Sequence, residues 1–457
     1  MFQLPIEYRK HHAVAESMVA DLELVATHEP KGRAMNDVLF EPRTEMAAAA
    51  ARRTAQFFTT DSAFLKETVR LIKENSWELF PEAEAYLAHW KRFQNTPDFK
   101  TLYHFVEHDR LAWLNQYPKV LLVLGVQSVA SPLLFLASPL LILIIPFVLM
   151  RLANTEVGWA AYQEALMSVL KRHALTSAFF GPRTVGNMFS SGVSLILFLV
   201  QLYTNVQSCW QFYRNLARTH ETLERTRDFL GHALSQMDAV ERTAKGSSYG
   251  AFKAAGRGHS AVLRPFWKEL EKVRDMRAFS FSEVRQLGFV GWTECMANVK
   301  ELLAAKVVAP CVFSKKGGVR FNRVYYPPCK SNERHSYGLS PRRAGKLITG
   351  PNASGKTTFI KSAMLGVLFS QQLGCGFYQK ATLRPYEQLC CYLNIPDTSG
   401  RDSLFQAEAR RCKEILSLKG RMFCIFDELF SGTNPYEACA SAYGFLTHMA
   451  ADASRPS

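Results

Sequence analysis

The sequence predicts an α/β domain of P-loop type at the C-terminal end, preceded by a mostly α-helical region with one or two apolar, membrane-like helical segments. Three observations carry this. Residues 347–358, "LITGPNASGKTT", set a glycine-rich loop between an apolar tetrapeptide and a helix-compatible run, "TTFIKSAMLGVLFSQQL". Residues 422–435, "MFCIFDELFSGTNP", end a short apolar strand on two adjacent carboxylates. From Val120 to Met150 no residue is charged, and Lys119 and Arg151 bracket the stretch.

Bulk properties bound the rest. With 457 residues, 48% of them hydrophobic, the chain can bury more than one core, which excludes a disordered protein. A formal charge of +15 points to an anionic partner: nucleic acid, nucleotide or a membrane surface. All ten cysteines follow residue 208 and none forms a CxxC pair, so they read as reduced thiols and speak against a zinc site. The opening "MFQLPIEYRKHH" lacks the apolar core of a signal peptide.

In chain order, residues 1–117 read as a helical N-terminal domain. Within it, Phe64, Leu65, Val69, Leu71, Ile72, Trp77 and Leu79 approximate one helix face. Residues 118–213 hold the apolar segments, the second being richest at Val193–Tyr203. Residues 214–310 turn charged and helical, interrupted by a Gly-, Lys- and Ser-rich loop at 245–259. The final domain, 311–457, opens with "CVFSKKGGVRFNRVYYPP", which the pattern predicts as a β-hairpin turning near Gly317 and Gly318.

The loop satisfies GxxxxGK[ST] with Gly350, Gly355, Lys356 and Thr357. Small residues let successive backbone N–H groups point at phosphates, and the following helix N-terminus adds partial positive charge. Gly350, Pro351, Asn352, Ala353, Ser354, Gly355, Lys356, Thr357 and Thr358 are therefore the nucleotide-binding candidates. Lys356 would reach the β- and γ-phosphates and Thr357 would ligate Mg²⁺, so ATP and Mg are the expected cofactors. A chance glycine-rich turn would need neither the lysine nor the threonine. "KLIT" (residues 346–349) is predicted as the strand that delivers the loop. Downstream, Asp427 is placed to hold Mg²⁺ through water and Glu428 to accept a proton from the attacking water. The bland alternative is a solvated strand end.

These runs, with "DTSGRDSLFQAEARRCKEIL" between them, resemble the ATPase domain of the MutS mismatch-repair family, a branch of the ABC-type ATPases, over about residues 320–457. The resemblance implies a dimer in which a serine of the middle run reaches the γ-phosphate bound by the other subunit. That role falls on Ser403, followed by Phe405 and Glu408, although Arg401 and Asp402 separate it from Gly400 where typical members have one residue. Ser431–Asn434 would lie along the dimer interface, the bland alternative being a polar turn leading into the last helix. The family's switch histidine sits on a strand beyond the last helix, so the domain reads as truncated before it, and His448 is only a look-alike. The resemblance also makes 214–310 lever- or clamp-like. No Gly-x-Phe-Tyr-Glu-type wedge run occurs. Taken whole, the chain resembles membrane-associated MutS-like ATPases of large DNA viruses and some bacteria.

The expected protein is a MutS-like ATPase, with Lys356, Glu428 and Ser403 as catalytic residues, that binds DNA in mismatch repair or recombination as a homodimer. It is expected at a membrane with its ATPase domain in the cytoplasm, through two spans or a re-entrant hairpin. The alternative is a membrane-seated ABC-type ATPase that moves or organises membrane or protein partners without DNA. Tyr325 and Tyr326 are candidates for stacking on adenine, with core packing as the alternative.

Overall fold

The computed structural model describes residues 10–27, 32–94, 109–117, 143–152, 158–172, 185–244, 271–328, 334–340, 345–393 and 403–451, with isolated positions between 120 and 141 and at 180. The loop at 245–259, residues 400–402 and most of the apolar run before 143 lie outside the described residues. The chain divides into two compact units. The first holds residues 1–86, 228–262 and 280–457, and the second holds 87–227 and 263–279. N-terminal residues through Tyr86 thus share a unit with the P-loop region.

In the first unit, strand β1 (His11–Ala13) pairs antiparallel with β2 (Phe57–Thr59). Between them lie helices α1 (Glu16–Asp21), α2 (Met35–Phe40) and α3 (Glu45–Thr54). Helix α4 (Ser62–Glu74) starts where the Asp61 carboxylate accepts hydrogen bonds from the backbone N–H groups of Ala63 and Phe64. It buries Phe64, Leu65, Val69, Leu71 and Ile72 as the periodicity predicts. Trp77 and Leu79 do not extend that face, because the helix stops at Asn75. Trp77 instead turns back to donate Nε1–H to the Ile72 carbonyl at 3.0 Å, and Leu79 is exposed.

The next helices are α5 (Ala83–Gln94), α6 (Trp159–Arg172), α7 (Val185–Thr243) and α8 (Glu271–Ala304). Helix α8 buries Phe289, Trp292, Met296 and Val299. At Gly291 a Cβ would sit 2.1 Å from the Met46 carbonyl oxygen, so only glycine permits this approach. Glu294 accepts hydrogen bonds from the N–H groups of Arg43 (2.6 Å) and Thr44 (3.3 Å) and from the Thr44 hydroxyl (2.8 Å), while Asn298 donates to the Phe40 carbonyl at 2.6 Å. Two polar side chains of α8 therefore hold the chain end to end between α2 and α3.

Beyond α8, a mixed sheet runs in the order β5–β4–β7–β3–β6, from β3 (Ala309–Phe313), β4 (Val319–Val324), β5 (His335–Leu339), β6 (Cys375–Gly376) and β7 (Lys380–Leu383). The predicted β3–β4 hairpin is corrected here. The turn is where expected, with Gly317 at φ 95°, but β7 lies between the two strands, parallel to β3 and antiparallel to β4. The turn's own groups bond to β7: Ser314 N–H donates to the Leu383 carbonyl, and Arg384 N–H to that of Gly318. A separate pair, β8 (Gln388–Tyr392) and β9 (Met422–Phe426), is parallel with Cys390 opposite Cys424.

Helix α9 (Lys356–Leu373) follows the P-loop and is buried from Ser362 to Leu373. Being apolar all round, it needs cover on every side. It contacts α4, β2, β4, β6 and β9. Its only uncharged polar anchors of length, Gln371 and Gln372, fasten β2, the end of α3 and Tyr386. Gln371 Nε2 donates to Thr59 O (3.1 Å) and Tyr386 O (2.8 Å), and Gln372 Nε2 to Thr54 O and Phe57 O, both at 3.0 Å. Gly374 ends the helix at φ 80°, where a Cβ would meet the Leu65 carbonyl at 2.6 Å.

Helices α10 (Leu404–Ser417) and α11 (Pro435–Ala451) cover β8 and β9 through a cluster of Cys390, Tyr392, Cys412, Ile415, Phe430 and Phe445. Burial lifts the thiols of Cys311 and Cys375 to about 12 and that of Cys412 to about 11, so these are unreactive core side chains.

Candidate functional site

Two P-loop residues lie in the left-handed region: Gly355 caps α9 at φ 86°, which glycine adopts freely, and Ala353 lies at φ 61°, which a residue with a Cβ seldom adopts. A side chain at Gly350 would crowd Ser354 Oγ at 3.0 Å. Residues Gly350 to Gly355 are exposed, while Lys356 and Thr358 are half-buried. Lys356 Nζ donates to the carbonyls of Gly350 and Pro351, each at 2.9 Å, which holds the ammonium over the loop. The predicted strand at 346–349 is not formed. Residues 345–350 have no regular secondary structure and no ladder partner among the described residues, and Leu347 is 89% exposed. An apolar tetrapeptide becomes a strand only where a neighbouring strand supplies hydrogen bonds.

Strand β9 delivers the carboxylates. Asp427 N–H donates to Tyr392 O at 2.9 Å, extending the β8–β9 ladder by one residue. There the Thr357 hydroxyl donates to Asp427 Oδ2 at 2.5 Å. Two residues far apart in sequence, nominated independently as metal ligands, thus meet. Both are hard oxygen donors at an accessible position. They suit Mg²⁺, which keeps several waters and takes one or two carboxylates beside substrate phosphates. Among the described residues no group of three His, Cys, Asp or Glu side chains could hold an ion by itself.

Glu428 follows at φ 48°, with its side chain exposed. A non-glycine residue in that region carries strain, which the next four residues secure. Phe430, at φ 59°, donates its N–H to the Tyr392 hydroxyl at 3.2 Å and packs against Phe405. Glu408, only 2% exposed, accepts hydrogen bonds from Ser431 N–H (2.9 Å), the Ser431 hydroxyl (3.2 Å) and Gly432 N–H (3.2 Å). A Cβ at Gly432 would lie 2.7 Å from Leu404 Cγ. The loop after Glu428 is therefore clamped to the first two turns of α10.

Ser403 has a structural duty in its own chain. Its hydroxyl accepts from Gln406 N–H (3.3 Å) while its N–H donates to Gln406 Oε1 (3.0 Å), a capping box that starts α10. Asn434 caps α11 by accepting from Glu437 N–H at 3.0 Å, with Pro435 at the first helical position. Tyr325 is committed to packing: its hydroxyl donates to Val307 O at 2.7 Å and Arg334 lies over its ring at 4.8 Å. His448 sits in the last turn of α11.

Sequence reasoning named Glu408 only as part of a run and missed Tyr392. The available signal for Glu408 was its place on the stripe with Cys412 and Ile415, where a carboxylate among apolar residues must have partners.

Residues 346–455 match the family model for MutS domain V. Among curated proteins, a stretch of 128 residues is 31% identical to an endonuclease MutS2 of Thermus thermophilus, covering 27% of this chain and 17% of that protein. A DNA mismatch repair protein MutS of Bacillus cereus is 34% identical over 107 residues, 22% of this chain and 12% of that one. A DNA mismatch repair protein MSH3 of Cryptococcus neoformans is 32% identical over 107 residues, 23% of this chain and 9% of that one. The matches thus span less than a fifth of each relative's length.

Proposed function

From the premise that this is a MutS-family protein with the ATPase domain in its C-terminal region, we propose that it binds and hydrolyses Mg·ATP at residues 350–358, 427 and 428. The observation that carries the reading is the 2.5 Å contact between Thr357 and Asp427. In this reading the P-loop N–H groups and Lys356 bind the phosphates, Thr357 and Asp427 hold the Mg²⁺, and Glu428 takes a proton from the attacking water. The metal, when bound, neutralises charge developing on the phosphate oxygens. Clamping of residues 430–432 by Tyr392 and Glu408 keeps Glu428 in its strained, exposed position.

The site is composite in this reading, with Ser403 supplied by a second copy. Supporting it, α11 leaves Tyr436, Tyr443 and Leu446 exposed at positions i, i+7 and i+10, a stripe of the kind that a partner covers. The relatives' names support work on DNA in mismatch repair or recombination, and the +15 charge suits phosphates.

Membrane attachment is the further part of the reading. Met188–Asn215 is a 28-residue stretch of α7 containing an 18-residue window with mean hydropathy 1.4, of which 6% is buried. Leu195, Ile196 and Leu197 are all exposed although consecutive residues point to different sides of the helix. Its polar groups bond within the helix, as a bilayer demands: Gln201 Nε2 donates to Asn205 Oδ1 at 3.1 Å and the Thr204 hydroxyl to Gln201 O at 2.9 Å. At 1.5 Å per residue the stretch reaches about 42 Å, enough to cross a hydrocarbon core of about 30 Å. Leu143–Leu152, the described end of the earlier apolar run, is a short apolar helix.

The membrane-seated reading without DNA is favoured by the same exposed helix, and one experiment separates the two. ATP hydrolysis by detergent-solubilised protein is measured against protein concentration, with and without duplex DNA. Specific activity that rises with concentration and responds to DNA in a salt-dependent way is expected. Concentration-independent activity would refute the composite site, and indifference to DNA at low salt would leave the membrane-seated reading.

A further inference from the structure

The ends of β8 and β9 away from Asp427 border an open hollow of about 460 Å³. Three cations, Lys315, Arg384 and Arg421, line it with one carboxylate, Glu387. Thr60, Ser62 and Ser314 add hydroxyls, and Ser62 is the first residue of α4, a helix long enough to present a partial positive charge there. Asp61 answers part of that charge by capping the helix.

Arg421 is the anomaly. It is 4% exposed and donates Nη2 to the Gly317 carbonyl at 3.0 Å, yet its Nε and Nη1 have no well-aligned acceptor, the Tyr386 hydroxyl beside them giving only a loose polar contact. The guanidinium lies 4.5 Å from the centre of the Tyr386 ring, a contact that supplies no counter-charge and leaves Nε and Nη1 short of a strong acceptor. Glu387, exposed, pulls on it only weakly. Burial draws the guanidinium pKa below its ordinary value, the sign of a cation without a sufficient counter-charge. A buried charge is normally paired, and a buried donor without an acceptor calls for a missing ion or ligand.

We propose that this hollow is a second anion site, which takes the phosphoryl group of a small ligand, either inorganic phosphate or a phosphate monoester. The Ser314 hydroxyl already donates to the Lys316 carbonyl, but three cations with the Thr60 and Ser62 hydroxyls are more donors than the two oxygens of a carboxylate can use, and an arginine fork matches phosphate geometry. The recessed position of Arg421 favours a terminal phosphoryl group over a phosphodiester, which carries sugars on both sides. The site is distinct from the P-loop: from Arg421 to Asp427 the extended chain covers about 20 Å at roughly 3.3 Å per residue.

The test uses the full chain with Lys356→Ala, so that phosphate at the P-loop contributes as little as possible. Inorganic phosphate, methyl phosphate and chloride are compared at constant ionic strength by thermal unfolding and calorimetry. Saturable stabilisation by a phosphoryl anion but not by chloride is expected, and a stronger effect of one probe tells free phosphate from monoester. Adding Arg384→Ala, at a half-buried position outside the core, should weaken binding at least about tenfold, the loss expected for a charge-assisted contact. Arg421→Lys, which keeps the charge and loses the fork, should also weaken it. If that variant does not fold, Lys315→Ala supplies the second arm. Equal effects of phosphate and chloride, or binding indifferent to Arg384→Ala and Lys315→Ala, would overturn the proposal. So would binding of duplex DNA that depends on Arg384 when neither small probe binds.

Discussion

Strand β9 ends in opposite chemistry at its two termini. At the C-terminal end Asp427 and Glu428 emerge as carboxylates beside the Thr357 hydroxyl and the Lys356 ammonium, and all four lie within two short sequence runs. At the N-terminal end Arg421 is buried near Arg384 and Lys315, and the groups lining the hollow come from four separate stretches of chain. One end shows positive-φ residues held by hydrogen bonds, and the other shows a cation whose bonds are incomplete. The contrast separates two kinds of site: one announced by a motif, the other assembled by packing and visible only as an unbalanced account of charge and hydrogen bonds.

The comparison is sharpened most by Glu428→Gln. If the C-terminal end is the catalytic one, this variant should bind Mg·ATP normally and lose about 10²- to 10⁴-fold in turnover, the range for a general base, in a single-turnover assay. Unchanged turnover would place the base elsewhere.

Glu408→Gln comes next. An amide at that place cannot satisfy the Ser431 and Gly432 N–H groups as a carboxylate does, so residues 430–432 should loosen. Turnover is expected to fall about tenfold with KM unchanged, because misplacement by a fraction of an ångström costs rate rather than binding. A rise in KM alone would show that Glu408 supports binding and not the position of Glu428.

The smallest effect is expected from Gln371→Met. It leaves the carbonyls of Thr59 and Tyr386 and the N–H of Tyr386 without their partner, which should cost about 1–3 kcal/mol of stability in denaturant unfolding. Mg·ATP affinity should stay at the wild-type value, since these bonds serve the other end of the molecule. A matching loss of affinity would mean that the two ends are coupled through α9.

The motif-borne parts of this protein were legible because their chemistry is local. GxxxxGK[ST] names the loop, and an apolar run ending in Asp-Glu names β9. The errors fall where a partner lies far along the chain. The turn at Gly317 was read correctly, but β7, more than fifty residues later, separates β3 from β4, and no local pattern encodes an inserted strand. "KLIT" has strand composition and no ladder, for the reverse reason. Gln371 and Gln372 look like the frayed polar end of a helix, whereas they are buried and bond to β2 and the end of α3. The apolar stretch at Val193–Tyr203 was legible as a helix, and its exposure only emerged from the fold.

The central claim is that residues 350–358 and 427 form the Mg·ATP site, and direct titration of Mg·ATP into wild-type and Lys356→Ala protein tests it. Among the described residues Lys356 bonds only to loop carbonyls, so its removal should leave the thermal unfolding of the protein intact. The account predicts saturable binding by the wild type and a loss of about a hundredfold or more in the variant, the worth of a charge-assisted contact to phosphate. Wild-type affinity for Mg·ATP in a folded Lys356→Ala protein would contradict it.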